Sequence, residues 1–396
     1  TSSCAAPATG CGWPGSARTG SASPSRRAAR SAGCRSSGGS DGPIKVGSIN
    51  GITGLFQTPE VPKAVKAVFD EVNAAGGING RKLRLVAKDD AMDPARAGQA
   101  ARELIKSEGV VALAGSSSAV DCGLNRATYG KEKIVSIPAV GVDPSCFTSP
   151  NIAPVNPGPY ALTTAMLYYA SETLKHDKVC VDYTVLPGSG GGIENAIKAW
   201  SDLTGKSLAH KNLAVGQGDP TRYLVADKNA GCQAVLYNAT VGPWFAQART
   251  QGMQNVDFIL AANSYTDANA KVIPADMNAY AGTEWQPYTD PTLPGNERWS
   301  RLVDRNGIQK TAFSQGAVMA ADVFVQVLKG IKGDITRESV TRAFKQMKPI
   351  DYPMAGSPWV FGPGGEHSPI KGSQFVKADK GGWKVLPGGF TVPTKK

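Results

Sequence analysis

From Pro43 onward, short apolar runs alternate with longer stretches in which apolar residues recur at every third or fourth position. IKVGSI at Ile44–Ile49 reads as a buried strand. It leads into a helix with Pro62 near its start, whose Val61, Val65, Val68, Phe69 and Val72 share one face and which Gly76-Gly77 closes. Strand Lys82–Lys88, helix Pro94–Ser107, strand Val110–Ala114, a helix after Ser118 and strand Ile134–Pro138 continue the alternation. A second run starts at Pro157, with helix Tyr160–Leu174, strand Lys178–Tyr183, helices Ile193–Thr204 and Thr221–Ala230, strand Ala234–Tyr237, helix Trp244–Gln251 and strand Phe258–Ala261. Helices Asn296–Arg305, Thr311–Lys332 and Arg337–Lys348 follow, then strand-like pieces around Trp359–Phe361, Gln374–Lys377 and Trp383–Leu386. Strands alternating with helices predict two α/β lobes. Each should hold a parallel sheet covered on both faces, with ligands at the carboxyl ends of the strands and a small molecule in the cleft between lobes.

Composition changes this picture at one end of the chain. Residues 1–42 are rich in Ser, Ala, Gly and Arg, nearly free of acids and without hydrophobic periodicity, so they are expected to be a disordered leader or tether outside the fold. Within them, Ser31-Ala32-Gly33-Cys34 followed by RSSGGSDG resembles a lipoprotein cleavage site with Cys34 as the lipidated residue, although Ala5–Arg30 supplies no apolar signal segment. The formal net charge of +11 is spread over amphipathic helices and no basic run is interleaved with aromatics, which argues against nucleic acid as a partner. No apolar stretch reaches the roughly twenty residues that a membrane-spanning helix requires.

The candidate chemistry centres on Val110–Cys122, VVALAGSSSAVDC, read as a strand, a loop and a helix start. Unpaired N–H groups and a partial positive charge at a helix start let Ser116, Ser117 and Ser118 cradle a carboxylate. Serines also cap helices when no ligand is present, so both readings stand. Phe56, Tyr183, Trp244, Tyr265 and Trp285 sit at loop or strand-end positions, where they either line the cleft or pack between helices. Gly188-Ser-Gly-Gly-Gly192 departs from GxGxxG, and is better read as a loop bordering the cleft than as a nucleotide site. Cys122 and Cys146 each follow a strand at one end of the first lobe, and Cys180 and Cys232 belong to strand regions of the second. These suggest two disulfides, with buried free thiols as the alternative. Disulfides would fit a compartment outside the cytoplasm. His176, His210 and His367 are widely separated and no CxxC occurs, which argues against zinc, and no other metal or cofactor is expected.

IKVGSINGITG, FDEVNAAGGINGRKLRLVAKDDAMDPARA, ALAGSSSAVDC and IVSIPAVGVDP together resemble the extracytoplasmic solute-binding proteins of ABC transporters, in the leucine/isoleucine/valine-binding branch. The resemblance covers about Ile44–Leu386. It implies a type I periplasmic-binding fold, with two Rossmann-like lobes joined by a three-strand hinge that crosses near Asn156, Gly282 and Ser357. Residues 43–156 with 283–356 would form lobe 1, and 157–282 with 357–396 lobe 2. The role implied is a non-enzymatic, monomeric receptor for a small amino acid or related carboxylate, which it delivers to a membrane permease. It would work in a bacterial periplasm, or lipid-anchored on the outer face of the cytoplasmic membrane.

Carried over residue by residue, Ser116 matches the serine that holds the ligand carboxylate, and Ala139 the carbonyl that takes its amine, with Val140 beside it. Gly141 replaces a ligand-binding threonine, Ser189 and Thr240 stand where tyrosines are usual, and Ala262-Asn263-Ser264 lacks the acidic partner of the ammonium. An amine-bearing ligand would therefore have to recruit Asp182 or Asp267, since an unpaired buried ammonium is costly. A ligand-sensing receptor domain is the main alternative. A hydrolase using Ser116 or an oxidoreductase using the glycine loop is weaker still, because GxSxG is absent and no base is recognisable beside the serines.

Overall fold

The computed structural model describes residues 42–54, 57–185, 188–216, 218–362 and 371–395. Cys34 and Phe56 lie outside these. In chain order the elements are β1 (Ile44–Asn50), α1 (Glu60–Ala74), β2 (Leu83–Asp89), α2 (Pro94–Arg102), β3 (Ala112–Ala114), α3 (Asp121–Lys131), β4 (Ser136–Ile137), α4 (Pro144–Thr148), α5 (Gly158–Tyr168), β5 (Val179–Asp182), α6 (Gly190–Thr204), β6 (His210–Asn212), α7 (Thr221–Ala230), β7 (Ala234–Tyr237), α8 (Val241–Thr250), β8 (Asp257–Leu260), α9 (Asp267–Val272), β9 (Asn278–Thr283), α10 (Glu297–Arg305), α11 (Ala312–Lys329), α12 (Arg337–Lys345), β10 (Gln374–Asp379) and β11 (Gly382–Val385).

Two sheets result. The first has the order β2-β1-β3-β4 and is parallel throughout. The second has the order β11-β10-β9-β8-β7-β5-β6, parallel from β9 to β6, with β10 antiparallel to both β9 and β11. β1 is buried along almost its whole length, as a central parallel strand covered on both faces requires. The apolar face of α1 (Val61, Ala64, Val65, Val68, Phe69) is fully buried, and α11 packs against it. Gly77, which turns the chain toward β2, has φ +78° and sits where an added Cβ would lie 2.2 Å from the Arg81 carbonyl oxygen, so only glycine fits. Asp93 caps α2 with Pro94 at its first position, and Thr311 and Thr336 start α11 and α12 through reciprocal hydroxyl caps with Ser314 and Ser339.

Some elements differ from the reading of the sequence. The helices predicted to run to Ser107 and Leu174 end earlier as α-helix, and Glu103–Glu108 and Tyr169–Thr173 continue them with wider π turns. β6, the edge strand HKN, and β9, NAYAGT, are strands that the hydrophobic pattern did not predict. One is polar and the other is mostly small residues around Tyr280, so neither shows an apolar run. Trp359 makes a single bridge with Ile350 in place of a strand. Glycines 190–192 form the first turn of α6 rather than an open loop.

The Cys122–Cys146 disulfide at one end of the first lobe and the Cys180–Cys232 disulfide between strand regions of the second are both formed, as expected. The passages between the sheets meet one another. Asn156 Nδ2 donates to Glu284 Oε1 at 2.7 Å, and Trp359 Nε1 donates to the Pro154 carbonyl at 2.9 Å. No helix among the described residues is long and apolar enough to cross a membrane.

Candidate functional site

A cavity of about 470 Å³ lies where strands of both sheets end. Met92, Ala119 and Val140–Val142 line it from the first sheet's loops, Tyr183–Val185, Asn238, Ala239 and Ala261–Asn263 from the second's, and Phe313 from the start of α11. Loops after the carboxyl ends of parallel strands are where such folds hold ligands. One wall is apolar, formed by Leu162 and Met166 of α5, Ile193 of α6 and Val185. Tyr183 is buried in this wall, with its hydroxyl accepting from Thr163 Oγ1 at 3.5 Å.

Among the described residues of the lining, Glu284 is the acidic group. It follows the end of β9 and is only 6% exposed. Its carboxyl accepts from Asn156 Nδ2 and from the backbone N–H of Gly158. Burial raises its pKa to about 7, and these two hydrogen bonds restrain the rise because they favour the ionised form. Asn156 is held in turn by Gly141, whose N–H donates to Asn156 Oδ1 at 2.7 Å and whose carbonyl accepts from Asn156 Nδ2 at 3.1 Å. No side chain fits at Gly141, because a Cβ there would lie 2.8 Å from the Pro154 ring. The glycine therefore brings its backbone close enough to clamp the asparagine that orients Glu284.

The serine triplet is turned away from this cavity. Ser116 Oγ accepts from the Ile49 N–H at 3.2 Å, Ser117 Oγ shares a 2.6 Å hydrogen bond with Thr58 Oγ1 and donates to Asn50 Oδ1 at 3.1 Å, and the Ser118 hydroxyl donates to Asp90. Ser118 Oγ also accepts from the Val120 and Asp121 N–H groups, so it pins the turn that leads into α3. All three are at most 4% exposed, and the lining begins only at Ala119. Replacing Ser118 with Ala should lower stability by about 1–2 kcal/mol through loss of its hydrogen bonds to Asp90 and to the turn before α3, with ligand affinity changed by less than about threefold. Chemical denaturation and calorimetric titration of the variant check both halves.

Of the remaining expected residues, Val140, Gly141, Ser189 and Asn263 line the cavity, whereas Ala139, Thr240, Ser264 and Trp285 do not. The Ala139 carbonyl oxygen and the Trp285 ring both face Gly316 of α11, where a Cβ would lie 2.6 Å from the oxygen and 2.5 Å from the ring. Thr240 starts α8 and its carbonyl accepts from Tyr237 Oη at 2.6 Å, while the Ser264 carbonyl accepts from Asn269 Nδ2 at 3.0 Å. Trp244 stacks on Tyr237 and Tyr265 packs against Tyr288, so both aromatics belong to the core. Neither Asp182 nor Asp267 reaches the cavity. Asp182 is buried with Asp227, and Asp267 at the start of α9 lies 3.5 Å from Tyr288 Oη. Glu284 was missed because β9, whose end positions it, is made mostly of small residues and shows no apolar run; a carboxyl just beyond a parallel strand was the signal available.

A periplasmic binding protein family model matches residues 43–383. Among curated relatives, an amino acid binding protein of Pseudomonas aeruginosa is 26% identical over 198 residues, covering 46% of this chain; the chain spans half the length of that relative. Among solved structures, a fatty acid ABC transporter substrate-binding protein from Thermomonospora curvata superposes with a TM-score of 0.72 at 18% identity, covering 90% of this chain and 98% of the other. A branched-chain amino acid transporter substrate-binding protein of Streptococcus pneumoniae, in complex with isoleucine, superposes with a TM-score of 0.70 at 16% identity, covering 87% of this chain and 99% of the other.

Proposed function

The chain belongs to the periplasmic binding protein family, and on that premise we propose that it is the solute receptor of an ABC importer, holding an amino acid with an apolar side chain, or a close amine-bearing relative, in the cavity between its sheets. Glu284 carries this reading. The cavity is otherwise largely apolar, and the family's acidic partner of the ammonium is absent from Ala262-Asn263-Ser264. Glu284 supplies a carboxylate from a different place, fixed by two donors and ready to accept from an ammonium group. Leu162, Met166, Val185 and Ile193 then receive the apolar body of the ligand, whose burial is favourable by about 25 cal/mol per Å². The names of an amino acid binding relative and an isoleucine complex support this class of ligand, whereas that of the fatty acid neighbour points to an amine-free one.

In this reading residues 43–156 with 283–356 form one lobe and 157–282 with 357–396 the other. The passages at Asn156, Glu284 and Trp359 are the hinge. Because Glu284 belongs to one passage and is bonded to another, a ligand that engages it acts directly on the segments whose dihedral angles change on closure. The closed monomer is what a permease outside the cytoplasm would recognise.

Thermal melts and calorimetry with aliphatic and aromatic amino acids, their deaminated carboxylates, amides and sugars test the assignment. A true ligand at a hundred times its dissociation constant should add about 2.7 kcal/mol of stability, bind one to one and be recovered unchanged. Stabilisation by amine-free acids with none by amino acids would overturn the ligand class. Turnover of the ligand would overturn the receptor role.

A further inference from the structure

Away from the cavity, the second sheet buries two carboxyl groups that no lysine or arginine neutralises. Asp182 ends β5 and Asp227 lies on α7, and both are fully buried. Neither oxygen of Asp182 and not Oδ2 of Asp227 has a hydrogen-bond donor among the described residues. The sulfur 3.5 Å from Asp227 Oδ1 belongs to Cys232, which is bonded to Cys180 and has no proton to donate. No lysine or arginine contributes to the environment of either group, and the one positive contribution is that of His210 to Asp182. Burial raises the pKa of both, and for Asp227 the adjacent Asp182 charge adds to the rise. Without a metal ion, the two can remain buried only by holding a proton between them or on the neighbouring His210.

The third group comes from the edge strand. β6 pairs with β5 so that His210 stands beside Cys180 and Asn212 beside Asp182, which places His210 on the same face as Cys180 and Asp182. Asp227 of α7 meets Asp182 on that face, and the Cys180–Cys232 disulfide ties the segment just after α7 to it. One ligating atom from each of Asp182, His210 and Asp227 lies within 4.8 Å of the others, and His210 is only half-buried, which leaves a way in from solvent. We propose that Asp182, His210 and Asp227 form a divalent-metal site of the zinc class, binding the edge strand β6 to β5 and α7. One imidazole and two carboxylates suit zinc better than calcium or magnesium, which take oxygen ligands, and water completes a four-coordinate shell. The ion pairs both buried carboxylates at once and fixes the end of β5 immediately before Tyr183, a residue of the cavity wall.

The test uses the full chain without a histidine tag, stripped with a chelator and then given Zn²⁺ alone. One equivalent bound by elemental analysis, with a rise of several degrees in melting temperature, is the expected result. His210→Gln should weaken zinc binding by roughly 100-fold or more, since even second-shell changes cost 10–100-fold, and Asp227→Asn should do the same. His210→Gln sits on the half-exposed edge strand and keeps the test decisive if an aspartate variant does not fold. Absence of stoichiometric zinc in the wild-type chain overturns the site. So does zinc binding that survives His210→Gln, and so does an Asp227→Asn variant that is more stable than wild type and still binds zinc, which would identify a shared proton instead. None of these outcomes depends on the identity of the ligand in the cavity.

Discussion

Glu284→Gln is expected to weaken binding of an amine-bearing ligand by roughly 10- to 100-fold, because a hydrogen bond to a charged partner is worth about 1.5–3 kcal/mol. Glutamine keeps the size of the side chain and can still accept from Asn156, so the loss reports the charge rather than a cavity. The pH dependence gives a sharper test. The folded-state pKa of about 7 lies above the ordinary value of 4.5 because the carboxyl is buried. Between these values the folded chain keeps a proton that the unfolded chain has released, so the ligand-free protein loses stability as pH rises through the window. The sum is about 3 kcal/mol, complete above pH 7. An ammonium ligand needs the ionised carboxylate, so its affinity should rise about tenfold per pH unit from pH 5 and level off near pH 7. Calorimetric titration from pH 5 to 8 should show this slope in the wild-type protein and none in Glu284→Gln. An affinity that falls as pH rises would mean that the ligand accepts a hydrogen bond from the protonated acid, and the amine would be withdrawn from the ligand class.

Removing the Cys180–Cys232 disulfide should cost about 4 kcal/mol, since it closes a loop with a sequence separation of 52 residues, against about 3.5 kcal/mol for Cys122–Cys146 at a separation of 24. The difference is small because loop entropy grows only with the logarithm of length. Paired Cys→Ser variants, unfolded in denaturant under non-reducing conditions, measure both losses, and free-thiol titration of the unfolded wild-type chain checks the pairing directly. Four reactive thiols from these positions would contradict it. The consequences of the two losses should differ. Cys122 lies at the start of α3 beneath the serine loop, whereas Cys180–Cys232 joins β5 to the segment after α7, so its loss should also loosen the Asp182–Asp227 pair.

The alternation of strands and helices, the parallel character of the sheets and the cysteine pairings were legible from the order of residues. Each of these depends on local periodicity or on which strand a residue follows. Gly141 was equally visible as a departure from the family pattern, although its reason, the 2.8 Å approach of Pro154, was not. The serine triplet shows where the reading stops. Its position after a strand was correctly placed, but three hydroxyls at a helix start serve a ligand or the chain itself equally well.

The sequence by itself determined the class of fold and the family, because the apolar pattern and the GGINGRKL and KDDAMDP segments are properties of contiguous residues. Tertiary structure decided which groups face the cavity. Ile49, Asn50, Thr58 and Asp90, all distant in the chain, take the serine hydroxyls inward. β9 exists because β8 and β10 flank it rather than because its own residues favour a strand, and its end carries Glu284 to Asn156, which lies 128 residues earlier. His210, Asp182 and Asp227 are likewise brought together only by the pairing of a polar edge strand and the docking of one helix. A side chain's direction and its partners are set by contacts between remote segments, and no local pattern encodes them.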